Sequence, residues 1–200
     1  MTTDHETISV YTNAADRYAS GVADTYDVGQ DIDVERFCAL IPTGGHILDL
    51  GCGPGQWAVR FRNLGYQVSA IDATPAMADL AKKRYDLDVT VATFADLKDV
   101  ATYDGIWANF SLLHASKVAF PEHLRQIHAA LKPKGSFHIA MKLGANEARD
   151  KLGRFYNYYT EDALHDLLTQ AGFTVTATRR GAASGLAGDV ETYVVMTAHA

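Results

Sequence analysis

One stretch constrains this chain more than any other: Ile47-Leu48-Asp49-Leu50-Gly51-Cys52-Gly53-Pro54-Gly55. An apolar run reaches an acid and then breaks into alternate glycines, the pattern of a buried strand turning tightly into a helix. Glycine suits these positions because a Cβ would obstruct both the turn and the approach of a ligand to the backbone N–H groups. A second apolar run, Val68-Ser69-Ala70-Ile71, closes on Asp72. That acid follows at roughly 20 residues, the offset at which such folds hold ribose hydroxyls. Together the two signals imply a nucleoside-containing cofactor. A glycine turn with no ligand, and a helix-entry role for Asp72 near Thr74, stay open on the residues alone.

The chain around this stretch alternates strands with helices, which predicts a parallel sheet covered on both faces. Strands are expected at 46–50, 67–71, 88–92, 105–109, 136–142, 173–179 and 190–197. Trp57, Ala58, Phe61 and Leu64 recur at helical spacing, with Gly65 as the stop. Thr74-Pro75 reads as an N-cap followed by proline at the first helical position, and Met77, Leu80 and Ala81 form the inner face. Leu124, Ile127 and Leu131 mark a helix that ends in a turn at Lys132-Pro133-Lys134-Gly135. Thr160 caps a helix whose first turn carries Glu161 and Asp162 and whose inner face is Leu164, Leu167 and Leu168, with Gly172 as its stop. The small-residue segment Gly181 to Gly188 reads as a hairpin connection.

Composition bounds the function. With 200 residues the chain suits one domain, 1–200, in which 1–40 is a helical N-terminal extension or lid and 41–200 the core. The 48% hydrophobic and 21% charged content is that of a globular protein. No run approaches the ~18 apolar residues of a membrane span. The polar, acidic start is not a signal peptide. Two cysteines, Cys38 and Cys52, give no disulfide framework and point to a reducing cytoplasm. A net charge of −6 argues against a broad nucleic-acid surface. His123, His128 and His138 lack metal-ligand spacing, so no metal site is expected.

The glycine spacing, D-x-G-x-G-x-G with Pro54 inside, departs from the G-x-G-x-x-G dinucleotide fingerprint. The segment instead resembles the first motif of class I S-adenosylmethionine-dependent methyltransferases, hydrophobic-L-D-L-G-C-G-P-G, and the resemblance extends over about residues 40–197. It implies an α/β Rossmann-like fold: a seven-stranded, mostly parallel sheet with helices on both faces. The implied strand order is 3-2-1-4-5-7-6, the last-but-one position antiparallel. It also implies S-adenosyl-L-methionine as cofactor and S-adenosyl-L-homocysteine as product. Gly51 and Gly53, with Cys52 between them, would meet the methionyl part through their backbones. Asp49 would orient the turn and accept from the cofactor's ammonium, and Asp72 would accept both ribose hydroxyls. Ala73 and Met77 would flank adenine, Met77 being equally readable as core. At the third motif the family's usual Asp is replaced by Thr93, followed by Phe94, while Asp96 comes three residues late and reads as a loop acid.

The run from Tyr103 to His114 resembles the family's fourth motif and puts Asn109 to His114 at the carboxyl end of a strand, where ligands bind in open α/β sheets. His114 is the expected general base, its ordinary pKa lying near neutrality; a packing histidine is the alternative. Tyr11 and Tyr18 share a helical face suited to a sulfonium or a lid, or to plain packing. Arg149, Lys151 and Arg154 either admit an anionic substrate or decorate a solvated loop. The expected function is methyl transfer to a small-molecule acceptor, by in-line alignment with water excluded. A non-catalytic S-adenosylmethionine-binding module and a nicotinamide-dependent oxidoreductase are the rivals.

Overall fold

A computed structural model describes residues 4–24 and 28–200; the side chains of 17–28 lie outside the described set. Tyr18, expected at the cofactor, is among those outside it.

The strands are β1 (His46–Leu50), β2 (Gln67–Asp72), β3 (Thr90–Val91), β4 (Tyr103–Asn109), β5 (Leu131–Lys142), β6 (Glu147–Arg149), β7 (Phe155–Asn157), β8 (Thr174–Ser184) and β9 (Val190–His199). The helices are α1 (His5–Asp24), α2 (Val28–Cys38), α3 (Gln56–Asn63), α4 (Pro75–Tyr85), α5 (Phe120–Ala130) and α6 (Glu161–Gln170). Seven strands form one sheet in the order β3-β2-β1-β4-β5-β9-β8, in which only β9 runs against its neighbours. With β8 and β9 counted as the sixth and seventh strands of that sheet, this is the order implied by the resemblance.

Alternation along the central strands sends side chains into two cores, as a sheet covered on both faces requires. Leu48, Leu50, Ile106 and Phe137 meet Leu124 and Ile127 of α5 and Leu164 and Leu168 of α6 on one face. Ile47 and Trp107 meet Phe37 of α2 and Phe61 of α3 on the other.

Several local expectations shift. β3 shrinks to two residues at the sheet edge. The Lys132–Gly135 turn is retained as a bulge within β5: Tyr103 pairs with Leu131 and Gly105 with Ser136, so Asp104 alone faces four residues. Lys134 absorbs the extra length with a φ of 65°, and Lys132 donates to Asp104. β8 continues to Ser184, which reduces the small-residue connection to a tight turn. Leu64 is the residue that caps the end of α3 and is 56% exposed rather than inward-facing. The 142–159 segment is a hairpin of β6 and β7 rather than an open loop.

An ion pair fastens the N-terminal helices to this sheet. Asp33 of α2 is buried and accepts from Arg179 of β8 at 2.6 and 3.1 Å, while Arg179 also donates to Tyr193 at 3.1 Å. Removing one member strands the other charge, and Arg179 keeps some access to water, which limits the cost. Asp33→Ala is expected to destabilise the protein by about 3 kcal/mol in urea unfolding. An unchanged midpoint would show that α2 is held by apolar packing alone.

Candidate functional site

At the carboxyl ends of β1, β2, β4 and β5 lies a cavity of about 850 Å³, covered by Thr7, Ile8 and Tyr11 of α1. This is the place where open α/β sheets bind ligands. Its volume is near the upper end of the roughly 300–1,000 Å³ typical of small-molecule sites.

One end is rich in hydrogen-bond acceptors. The chain leaves β1 through Gly51, whose φ of 75° permits its own N–H and that of Cys52 to reach the Ile71 carbonyl at 2.8 and 3.0 Å. Asp49 is buried and accepts from the Ala58 N–H at the start of α3, which fixes the loop against the helix. Burial, with a further contribution from the charge of Asp72, lifts the Asp49 carboxyl to about 8. Asp72 uses one oxygen for the Gly53 N–H and the other for the Thr74 N–H, both at 2.8 Å. Burial raises its pKa as well. The notion of Asp72 as merely a helix-entry acid is therefore half right. It does organise the start of α4, yet each oxygen keeps a second lone pair. Gln56 Oε1 is buried in the same wall with no hydrogen-bond partner among the described residues. Ala73, Met77, Thr93 and Phe94 line the cavity beside Asp72. Met77 is also buried, so its two readings coincide. Asp96 is spent elsewhere: it closes a capping box with the Thr93 N–H and hydroxyl at 2.8 and 2.7 Å, outside the cavity lining. Cys52 lines the cavity with its side chain packed among Ala58, Ala70 and Ala81, and burial pushes its thiol pKa up.

The other end combines aromatic rings with fixed charges. Phe110 adopts a φ of 54°, a left-handed conformation that costs a non-glycine residue on the order of 1–3 kcal/mol. It turns the chain out of β4 into the short 3-10 turn Leu112–His114. Asn109, the last residue of β4, lines the cavity and holds its side-chain oxygen 3.1 Å from His138 Nε2. His114 also lines the cavity, and both of its ring nitrogens are engaged. Nδ1 faces the Phe155 carbonyl, so it carries the hydrogen, and Nε2 accepts from the Tyr11 hydroxyl at 2.9 Å. Burial, outweighing the Phe155 bond, lowers the imidazole to about 4 and keeps it neutral. This geometry amends the expectation that His114 takes the acceptor's proton directly: its basic nitrogen is turned to Tyr11. Arg154, one candidate for a solvated loop, is instead 2% exposed. It donates to Asp150 at 2.7 and 2.9 Å and to Tyr11 at 3.0 Å. Lys142 at the end of β5 pairs with Glu191 of β9 and sits 3.8 Å from the Tyr156 ring centroid. Arg149 and Lys151 do lie at the surface, paired with Asp4 and Asp189.

A sequence profile described as a methyltransferase domain matches residues 31–178. The chain belongs to the class I S-adenosylmethionine-dependent methyltransferase family. It is 30% identical over 165 residues to an O-methyltransferase of Penicillium expansum, covering 74% of this chain and 59% of that one. A second O-methyltransferase, of Aspergillus sclerotiorum, is 30% identical over 149 residues, 66% of this chain and 56% of that one. The chain thus spans somewhat over half the length of these curated relatives. Among solved structures, the 1,6-didemethyltoxoflavin-N1-methyltransferase of Burkholderia thailandensis was crystallised with 1,6-didemethyltoxoflavin and S-adenosylhomocysteine. It superposes with a TM-score of 0.75 at 27% identity, over 100% of this chain and 91% of that one.

Sequence reasoning passed over Gln56, Lys142 and Glu191. Lys142 ends the fifth strand, the address at which the fold places ligands, and that signal was readable. Glu191 was not, because β9 runs antiparallel and only the pairing of Lys142 with Tyr193 brings its beginning to the cavity rim. Among the described residues, no helix is long and apolar enough to cross a membrane.

Proposed function

We propose that the protein transfers the methyl group of S-adenosyl-L-methionine to a nitrogen or oxygen atom of a small-molecule acceptor. The observation that carries the cofactor half is the convergence of Asp49, Asp72 and the unpartnered Gln56 oxygen at one end of the cavity. Such an acceptor-rich end fits a ligand with an ammonium and a ribose diol, and Arg60, the cation lining it, is already paired with Asp31. In this reading Asp72 holds the ribose hydroxyls and Asp49 the ammonium. The backbones of Gly51, Cys52 and Gly53 flank the methionyl chain, while Ala73, Met77, Thr93 and Phe94 surround adenine. The cofactor supplies an already activated methyl group. The protein's part is to align the acceptor and exclude water, which α1 favours by covering the cavity. The O-methylating relatives and the N1-methylating structural relative support a small heteroatom acceptor; Asn109 lies where the two ligands would meet. His114 is assigned a positioning role, holding the Tyr11 hydroxyl against the acceptor.

Calorimetry with S-adenosylhomocysteine tests this directly. Asp72→Ala should weaken binding by about 1.5–3 kcal/mol, the range for hydrogen bonds to a charged group. A parallel melting curve checks that α4 still starts correctly. Unchanged affinity would remove the ribose assignment, and binding of NADH in place of S-adenosylhomocysteine would remove the whole reading.

A further inference from the structure

The wall opposite the cofactor half has cations, while its described bases His114, Glu191 and Asp4 are each already engaged in hydrogen bonds. His114 Nε2 is taken by Tyr11, and the Tyr11 hydroxyl is in turn held by Arg154. Glu191 receives the Lys142 ammonium on one oxygen and the Tyr158 hydroxyl on the other, at 3.1 Å. Asp4, at the start of α1, is tied to Arg149 and to the Thr7 hydroxyl. The cations are less completely used. A guanidinium has five N–H groups, and Arg154 uses three in its bonds to Asp150 and Tyr11. Its counterion Asp150 stands behind it, outside the cavity lining, so Arg154 brings positive charge to the cavity while its partner's negative charge stays away. The Lys142 ammonium has three N–H groups, one of them given to Glu191. Its position over the Tyr156 ring keeps it at the cavity wall rather than in water.

We propose that this wall selects acidic acceptors, O–H or N–H compounds that bind as their conjugate base with the negative charge lying against Arg154 and Lys142. The inference rests on the methyl-transfer reading and names the substrate class for it. An acceptor that has already given its proton to solvent needs no general base. Its heteroatom lone pair forms the new bond to the methyl carbon as the carbon–sulfur bond breaks, and the electron pair stays on sulfur. One negative and one positive charge thereby become two neutral products, which the cationic wall no longer holds. The arrangement accounts for a histidine kept neutral and turned to Tyr11 at the heart of the site.

The test uses protein saturated with S-adenosylhomocysteine and the chromophore 4-nitrophenol, whose absorption reports its ionisation. Bound 4-nitrophenol should ionise at lower pH than the free compound, and the anion should bind at least about tenfold tighter than neutral 4-nitroanisole, a difference of about 1.4 kcal/mol. Lys142→Gln and Arg154→Gln should each reduce the preference, and Lys142→Arg should retain it. Arg154→Gln also frees a buried Asp150, so Lys142→Gln decides the matter where the Arg154 variant does not fold. Equal binding of the two probes, an ionisation shifted upward, or no binding of the anion would overturn the inference. Binding of S-adenosylhomocysteine is measured first: its failure would overturn the methyl-transfer reading, whereas its success without anion preference overturns the acceptor class alone.

Discussion

Gly51→Val should cost about 3–5 kcal/mol of stability and abolish S-adenosylhomocysteine binding. Two independent effects add at this position. The φ of 75° is a region that a β-branched side chain scarcely tolerates. A Cβ there would also lie 2.3 Å from the Ser111 Cβ, far inside contact distance. Ser111 has little room to yield, because it is buried and its hydroxyl donates to the Leu50 carbonyl at 2.6 Å. Relief would therefore have to come from the loop, the element whose N–H groups meet the Ile71 carbonyl and shape the cavity. Gly65→Ala is the comparison that separates the effects: its φ is 91° but nothing lies within 4 Å of the added carbon. That variant should lose only about 1–3 kcal/mol through backbone strain and should bind as the parent does. If Gly51→Val melts like Gly65→Ala, steric contact with Ser111 contributes nothing.

The same region shows what the sequence made legible and what it could not. Strand, glycine turn and helix share one continuous segment, so their order and the ends of Asp49 and Asp72 follow from local pattern. Sheet order was legible only through the family resemblance, since periodicity says which residues pair with a core and not which strand neighbours which. The wall proposed for the acceptor is assembled from α1, β5, β7, the Leu112–His114 turn and β9, which are far apart along the chain. Phe155-Tyr156-Asn157 carried an aromatic strand signal next to Gly153, but its partner Glu147-Ala148-Arg149 has no strand propensity and forms only by pairing. Arg154 looked like a surface cation because its burial depends on Asp150 and Tyr11 arriving together. The role of His114 turned on which atom faces Nε2, a fact that no single-sequence pattern contains.

The Asp49 carboxyl should withdraw stability from the ligand-free protein as pH rises from about 4 towards 8, against the opposite contributions of the buried, neutral His114 and His138, and replacing Asp49 should remove that loss. Burial, reinforced by the charge of Asp72, raises the Asp49 carboxyl from 3.8 to about 8 in the folded state. Between those values the folded chain holds a proton that the unfolded chain has released. Folding is therefore favoured below the unfolded pKa, and the advantage is lost as pH passes through the folded pKa. At about 1.36 kcal/mol per unit, the rise corresponds to on the order of 6 kcal/mol across the window. Asp49→Asn keeps an acceptor oxygen for the Ala58 N–H and carries no proton to titrate, so its stability should gain on the parent's as pH rises and lie above it at pH 8. Ligand binding should show the opposite sign. An ammonium beside Asp49 favours the carboxylate, so affinity should rise with pH through the same window, with proton release seen as buffer-dependent binding heat. Asp49→Asn should bind S-adenosylhomocysteine more weakly and release no proton there. Parallel stability curves for parent and variant would mean that Asp49 is ionised in the empty cavity, and the acceptor-rich end would then need a resident cation of its own.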